Sequence, residues 1–272
     1  MKLTFLGTAA AEGFPAVFCN CEYCKEARRL GGKNIRSRSQ TLINDDLLID
    51  LPADTYWHFI KNGIEGDRIK YLLITHSHED HLYTSELDMR HGAYAHETRA
   101  PELKVFCSEG SYKKITSEIP AAKGFTVTKI DPFETFSLGE YEITPLPARH
   151  KPGDCAVFYI IKGEKTILYA HDTGYFYDEV FEYIEKEKIY FDMISLDCTY
   201  VGLPVGDDGG HMGFENIIRL TRRLEDIKAV DGKTVKYVNH YSHNGNPIHH
   251  LLENRAAEIG FKASFDGEKV EI

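Results

Sequence analysis

The stretch "YLLITHSHEDH", residues 71–81, carries the clearest pattern in this chain of 272 residues. An apolar run leads directly into His76, His78, Asp80 and His81. Because side chains alternate along an extended strand, His76 and His78 face the same side. Asp80 and His81 follow a turn and therefore face a second point in space. Imidazoles and carboxylates are ligands of zinc, iron and manganese, so this stretch predicts metal binding.

Three other apolar runs also end at a side chain that can bind a metal ion. "EITPLPARH" ends at His150, "KTILYAHD" at Asp172 and "TVKYVNH" at His240. Together with the first group, these side chains are sufficient for two metal ions. Short apolar runs alternate with helical patterns along the rest of the chain, which indicates a mixed sheet or two sheets with helices outside.

The order and spacing of these ligands resemble the metallo-β-lactamase superfamily of metal hydrolases, over nearly the whole chain. The resemblance implies an α/β fold, the αββα four-layer sandwich, as a single domain over residues 1–272. It also implies one metal ion on His76, His78 and His150, a second on Asp80, His81 and His240, and Asp172 bridging both. An aspartate in the bridging position favours phosphoesterase, nuclease or glyoxalase-II-type members over true β-lactamases.

A second cluster of ligands lies in "FCNCEYC", residues 18–24. Clustered cysteines in a reducing compartment bind metal more often than they form disulfides. The spacing of Cys19, Cys21 and Cys24, with His243 three residues after His240, resembles the PhnP-like phosphodiesterase branch of the superfamily. That resemblance implies one structural zinc ion on three thiolates and an imidazole. Unligated thiols near the surface are the alternative.

His211 lies in the glycine-rich segment "GDDGGHMGFENI". Related phosphodiesterases carry a similar histidine that contacts the phosphate or protonates the leaving oxygen, a role that suits imidazole at neutral pH. His211 and Asp80 are therefore the predicted catalytic residues. Asp50 either orients a metal ligand or is a strand-end turn residue, and Asp197 supports the His211 loop. His171 is assigned a structural role, since its neighbour Asp172 faces the other way.

The remaining histidines, arginines and cysteines are interpreted as structural or surface residues. Arg36 and Arg38 share a face and either meet a phosphate or line a solvated strand edge, which is the favoured interpretation. Five histidines in helical patterns are interpreted as solvated or capped residues: His58, His91, His96, His249 and His250. The small core residues are Cys107, Cys155 and Cys198.

The composition restricts the function and the partners. A formal net charge of −10 argues against a nucleic-acid-binding surface. The first residues have too short an apolar run for a signal peptide, and no apolar stretch is long enough for a membrane span, so we expect a cytoplasmic protein. A homodimer is compatible with the sequence.

The sequence therefore predicts a phosphodiesterase with two catalytic divalent ions (Zn, Mn or Fe) and one structural Zn. Two ions about 3.5–4 Å apart share a hydroxide that attacks a small phosphodiester, including a cyclic one. One alternative is a tRNA 3′-processing nuclease, which normally needs a basic projecting arm. Others are a thioester or lactone hydrolase and a regulatory protein with a degenerate site.

Overall fold

Two seven-stranded β-sheets form the centre of the computed structural model, which describes residues 1–121 and 123–272. The strands are β1 (Lys2–Gly7), β2 (Gln40–Ile43), β3 (Leu47–Ile49), β4 (Tyr71–Ile74), β5 (Leu103–Cys107), β6 (Phe125–Lys129), β7 (Phe136–Leu138), β8 (Tyr141–Pro147), β9 (Val157–Lys162), β10 (Thr166–Ala170), β11 (Met193–Asp197), β12 (Val235–Asn239), β13 (Lys262–Ala263) and β14 (Glu268–Glu271). The first sheet has the order β14-β1-β2-β3-β4-β5-β6, and the second has the order β13-β12-β11-β10-β9-β8-β7.

Each sheet is antiparallel in one half and parallel in the other. In the first sheet the parallel pairs are β3–β4, β4–β5 and β5–β6. In the second sheet they are β10–β11, β11–β12 and β12–β13. The carboxyl ends of these parallel strands are where open α/β sheets place their ligands.

Seven α-helices lie along the described part of the chain. They are α1 (Glu22–Leu30), α2 (Thr55–Asn62), α3 (Thr84–Asp88), α4 (Glu109–Glu118), α5 (Asp178–Lys186), α6 (Phe214–Asp226) and α7 (His249–Glu258). The Ser108 hydroxyl accepts a hydrogen bond from the Ser111 amide and caps α4, as serine does at helix starts. Helix α6 buries Ile217, Leu220 and Leu224 at helical spacing, so one face of it packs on the core.

Three buried clusters define the layers. One lies between the sheets and contains Leu3 and Ile49 of the first sheet with Tyr159 and Ile167 of the second. A second packs the outer face of the second sheet against α5, α6 and α7. A third packs the outer face of the first sheet against helical residues such as Ile115. The predicted αββα sandwich is therefore confirmed.

The structure confirms the alternation of strands and helices expected from the sequence, except at His91 and His96, and it adds elements that the sequence did not indicate. Four strands were missed, β6, β7, β13 and β14, and these are the four edge strands of the two sheets. The short helix α3 was also missed. Within the described residues, no helix has the length and apolarity needed to cross a bilayer. The single-domain organisation stays a prediction.

Candidate metal centre

The predicted ligands converge where the carboxyl ends of strands from the two sheets meet. His76 lies two residues after β4, His150 three residues after β8 and Asp172 two residues after β10, while His240 directly follows β12. Asp172 has φ 58° and His240 has φ 64°, a left-handed conformation that non-glycine residues adopt rarely and that clusters at functional sites. The backbone is thus bent sharply at two of the strand ends that carry the site.

The first ligand set consists of His76, His78, His150 and Asp172, whose ligand atoms all lie within 4.8 Å of one another. The His78 Nδ1 atom lies 2.9 Å from His76 Nε2 and 3.2 Å from His150 Nε2. Nitrogen ligands about 2.0–2.1 Å from a tetrahedral ion stand roughly 3.3 Å apart. The three imidazoles therefore fit around one cation.

The second set consists of Asp80, His81, Asp172 and His240. Its four side chains are all buried. The His81 Nε2 atom lies 3.3 Å from Asp80 Oδ2 and 3.3 Å from His240 Nε2. These separations also match the edges of a coordination polyhedron, so a second cation fits here.

Asp172 belongs to both sets. Its Oδ2 atom lies 3.1 Å from His76 Nε2 and 2.9 Å from His81 Nε2, between the two groups of imidazoles. Its Oδ1 atom is buried, and among the described residues no group is oriented to hydrogen-bond it, although His211 Nδ1 is 3.0 Å away. A buried carboxylate oxygen without a hydrogen-bond partner is costly unless a cation satisfies it. The donor set therefore fits two ions that share this carboxylate.

Hydrogen bonds on the far side of three imidazoles set their orientation. His81 Nδ1–H donates to Asp50 Oδ2 at 2.7 Å, and His150 Nδ1–H donates to the Gly210 carbonyl at 3.0 Å. His240 Nδ1–H donates to Thr199 Oγ1 at 2.8 Å. Such bonds fix the tautomer and turn the Nε2 lone pair toward the centre. Of the two interpretations left open for Asp50, the structure favours the orienting one.

Asp197 supports several parts of the site at once. Its carboxylate accepts hydrogen bonds from the backbone amides of Asp172 at 3.0 Å and Met212 at 2.9 Å. It also lies 3.2 Å from His211 Nδ1. This fully buried residue therefore joins Asp172 to the His211 loop, whereas the sequence predicted only its contact with that loop.

Burial and nearby charges shift the pKa values in opposite directions across the site. Burial lowers the pKa of His76 to about 4. Burial also opposes a charged His81, but the carboxylates of Asp80 and Asp50 raise its pKa well above the usual value. Burial likewise opposes a charged Asp172, yet the imidazoles of His240 and His76 keep its pKa well below its usual range. The Asp172 side chain is therefore an anion, the form in which a carboxylate binds a cation.

His211 lies at the solvent side of the centre, with 23% of its side chain exposed. Its loop approaches the backbone of the neighbouring loop so closely that a Cβ on Gly174 would lie 1.8 Å from the Gly209 carbonyl oxygen. Burial lowers the pKa of His211, but Asp197 and Asp172 raise it to about 11. Both carboxylates face Nδ1, which leaves Nε2 for a molecule that enters the site.

The cysteine cluster is also brought together. Cys19, Cys21, Cys24 and His243 have their ligand atoms within 4.8 Å of one another. His243 Nδ1 lies 3.7 Å from Cys21 Sγ and 3.6 Å from Cys24 Sγ, close to the roughly 3.6 Å expected around tetrahedral zinc. Burial raises the pKa of Cys21, but hydrogen bonds from His243 and the Cys24 amide lower it to about 6. All six cysteines are free thiols.

His171 lies outside both ligand sets. Its Nε2 atom is 2.7 Å from Ser195 Oγ, and its Nδ1 atom is 3.3 Å from Asn239 Nδ2. It is buried between the sheets, beside Tyr169. The contacts agree with the structural role that the sequence predicts.

Several predictions of burial or secondary structure for individual residues were wrong. His58 and His249 are buried rather than solvated, and Arg36 is buried rather than on a solvated strand edge. Arg36 donates to Thr8 Oγ1 and to the Ser264 carbonyl, so distant parts of the chain enclose it. Cys155 is exposed, whereas Cys107 and Cys198 are buried as expected. His91 and His96 lie outside the helices, contrary to the helical pattern assigned to them.

Two threonines of the site were not predicted. Thr75 donates its hydroxyl to Asp50 and accepts from His76 Nδ1 at 3.0 Å. Thr199 contacts His240, His211 and Asp197. The one feature of the sequence that could have indicated them is their position, since each threonine lies within two residues of the end of a strand that delivers site residues.

Comparison with known proteins agrees with the family and the fold that the sequence motifs indicate. A family model described as a β-lactamase superfamily domain matches residues 53–241. Coenzyme PQQ synthesis protein B of Acinetobacter baumannii (strain ACICU) is 26% identical, with 100% of both chains covered. A diphosphatase from the PhnP family superposes with a TM-score of 0.76 at 21% identity, covering 100% of this chain and 97% of that one. Zn²⁺-bound PqqB from Methylobacterium extorquens superposes with a TM-score of 0.77 at 18% identity, covering 100% of both chains. At these identities, the two structures establish the shared fold.

Proposed function

This chain belongs to the β-lactamase superfamily, and from that premise we propose that it is a two-metal phosphodiesterase acting on a small phosphodiester. The observation that carries the proposal is Asp172, whose Oδ2 lies between two groups of imidazoles and whose Oδ1 lacks an oriented hydrogen-bond donor among the described residues. One cation would be held by His76, His78 and His150, and the other by Asp80, His81 and His240. A bound pair of divalent ions supplies a water of lowered pKa and neutralises charge on phosphoryl oxygens.

The protein's own residues would hold the metal ligands in position and supply a proton donor. Asp50 and Thr199 hold His81 and His240 with their Nε2 atoms inward, and Gly210 does the same for His150. Asp80 presents a buried carboxylate at the edge of the second set. His211 holds a proton on Nδ1 against Asp197, so its Nε2–H is the donor available to a phosphate oxygen or a leaving oxygen.

The cysteine cluster is proposed to hold one structural zinc ion. Cys19 and Cys21 lie in the segment between β1 and α1, Cys24 lies in the first turn of α1, and His243 lies three residues after His240. Glu12 supports the same junction, since its carboxylate accepts from the Ser242 hydroxyl at 2.6 Å. The zinc would tie this segment to the rim of the site and leave the chemistry to the other residues.

Hydrolysis of bis(p-nitrophenyl) phosphate by the protein loaded with Mn²⁺ or Zn²⁺ tests the proposal. The monoester p-nitrophenyl phosphate and the thioester S-lactoylglutathione are the controls for reaction class. We expect turnover of the diester above that of both controls. If the protein holds two ions in this centre and hydrolyses no phosphodiester with either metal, the proposal is wrong.

The tRNA nuclease alternative is disfavoured by the net charge of −10. Binding of a precursor tRNA at moderate salt would restore it.

A role in coenzyme synthesis is a second candidate, supported by the A. baumannii relative that matches over all of both chains. Restoration of coenzyme PQQ formation in a strain lacking protein B would test that role. The cytoplasmic location and the homodimer stay predictions.

A further inference from the structure

We infer that Asp154 and Lys114 hold, as a clamp, the two peptide groups that flank Ser77, and so set the spacing of His76 and His78. Ser77 is the residue between these two ligands, and its backbone fixes how far apart their rings lie. The inference rests on the proposed metal centre, since it concerns the ion on His76, His78 and His150. Asp154 and Lys114 would be positioning residues and would touch neither ion nor substrate.

The amide side of the clamp is Asp154. Its Oδ2 atom accepts a hydrogen bond from the Ser77 amide at 2.8 Å, and the residue is only 4% exposed. A buried carboxylate bound to a backbone amide makes a strong, charge-assisted hydrogen bond. Asp154 lies in the loop that also delivers His150, so this bond joins all three histidines of the first set.

The carbonyl side of the clamp is Lys114 of α4. Its Nζ atom donates to the Ser77 carbonyl at 3.2 Å and to the Leu82 carbonyl at 3.1 Å, with Glu79 as its third partner. The ammonium therefore bonds the backbone within the metal-binding stretch and just after its end at His81. A third cation, Lys151, donates to Ser77 Oγ at 3.1 Å from an exposed position.

Gly110 makes room for this arrangement. Its amide donates to the Asp154 carbonyl at 3.1 Å, at the start of α4. A Cβ built on Gly110 would lie 1.4 Å from Asp154 Oδ1, so any side chain there must displace the carboxylate. Helix α4 thus contributes to both sides of the clamp, through Gly110 and Lys114.

The histidine geometry depends on these two peptide groups. His76 Nε2 and His78 Nδ1 lie 2.9 Å apart, although they use different ring nitrogens. Rotation of either peptide group that flanks Ser77 would change the separation of the rings, because the Ser77 backbone joins the two histidines. The Asp80, His81 and His240 set has its own support from Asp50 and Thr199, so Asp154 acts on the ion of the first set. Lys114 reaches further, because it also bonds the Leu82 carbonyl beside His81.

The test measures how firmly each ion is held, by counting ions retained against increasing chelator. Wild-type protein reports first whether the centre binds two ions; if it does not, the proposed function fails before any variant is made. His150→Ala then identifies which step in the loss of ions with rising chelator concentration belongs to the first set. Asp154→Ala, Lys114→Met and Gly110→Ala should each lower the chelator concentration at which that ion is lost by about tenfold or more. Asp154→Asn, which keeps an acceptor, should lower it less.

Two matched controls accompany the variants. Lys113→Met changes the neighbouring lysine of α4, which pairs with Glu109 at the surface. Gly92→Ala adds a methyl group where a Cβ meets nothing within 4 Å. Both should leave every step unchanged. The inference is overturned if the first-set step stays within about twofold of wild type, or if all steps shift together with the melting temperature, as a merely structural role would give.

Discussion

Burial of His58 makes the stability of this protein depend on pH, although the residue lies outside the metal centre. His58 is 1% exposed, and its ring bonds Gln40 through Nδ1 and Ser37 through Nε2. Burial lowers its pKa to about 4, with Asp54 raising it and Lys61 lowering it by smaller amounts. The folded protein therefore keeps this imidazole neutral at pH values where the unfolded chain protonates it.

The sign and the size follow from proton linkage. Above the unfolded pKa of about 6.5 both states are neutral, and the contribution of His58 is fully present. As the pH falls toward about 4, the unfolded chain binds a proton that the folded chain excludes, so the free energy of unfolding decreases. The loss is about 2 kcal/mol between pH 7.5 and 5.0, and about 3 kcal/mol by pH 4.

Urea unfolding of wild type and His58→Gln at pH 7.5 and 5.0 measures this term. The amide of glutamine is neutral at both pH values, so the variant lacks the titration. Metal release at low pH affects both proteins alike, and the difference between their pH dependences isolates His58. A variant that loses as much stability as wild type between the two pH values would refute the reasoning.

The remaining predictions concern the two metal clusters. Cys21→Ser should remove one zinc ion per chain and lower the melting temperature, measured by elemental analysis and thermal scanning, whereas Cys155→Ser, outside the cluster, should do neither. Loss of activity in Cys21→Ser with folding and both catalytic ions intact would contradict the scaffold role. His211→Ala should lower kcat about 10²–10⁴-fold with metal content unchanged, because it removes only a proton donor; an unchanged kcat would exclude that role. Asp172→Ala should release both catalytic ions, since its carboxylate faces both sets, and retention of either ion at wild-type affinity would contradict the bridging assignment.

The sequence predicted the central strands because they are apolar, and it missed the edge strands for the same physical reason. Strand β6, "FTVTK", buries only Phe125 fully, and β13 has two residues. An edge strand needs fewer apolar residues, since one side of it meets solvent. Local hydrophobicity therefore indicates the middle of each sheet better than its borders.

The candidate ligands, and with them Asp50 and Asp197, could be found in the sequence because they follow strands in short motifs, whereas contacts between distant segments could not. Arg36 is enclosed by Ser264, His249 and the ring of Tyr241, all more than 200 positions away. Asp154 meets Ser77 across 77 positions. Nothing in the local sequence marks such contacts, because folding alone brings the partners together.

The left-handed backbone at Asp50, Asp172 and His240 places stability and function in opposition at the same three positions. Each costs roughly 1 kcal/mol or more relative to a relaxed conformation, and glycine would remove that strain without moving the chain. Glycine would also delete the carboxylate or imidazole that each position supplies. At Asp50 it would also leave Thr75 and His81 without the carboxylate that they hydrogen-bond, so the relief of strain there is offset by buried polar groups that lose their partner.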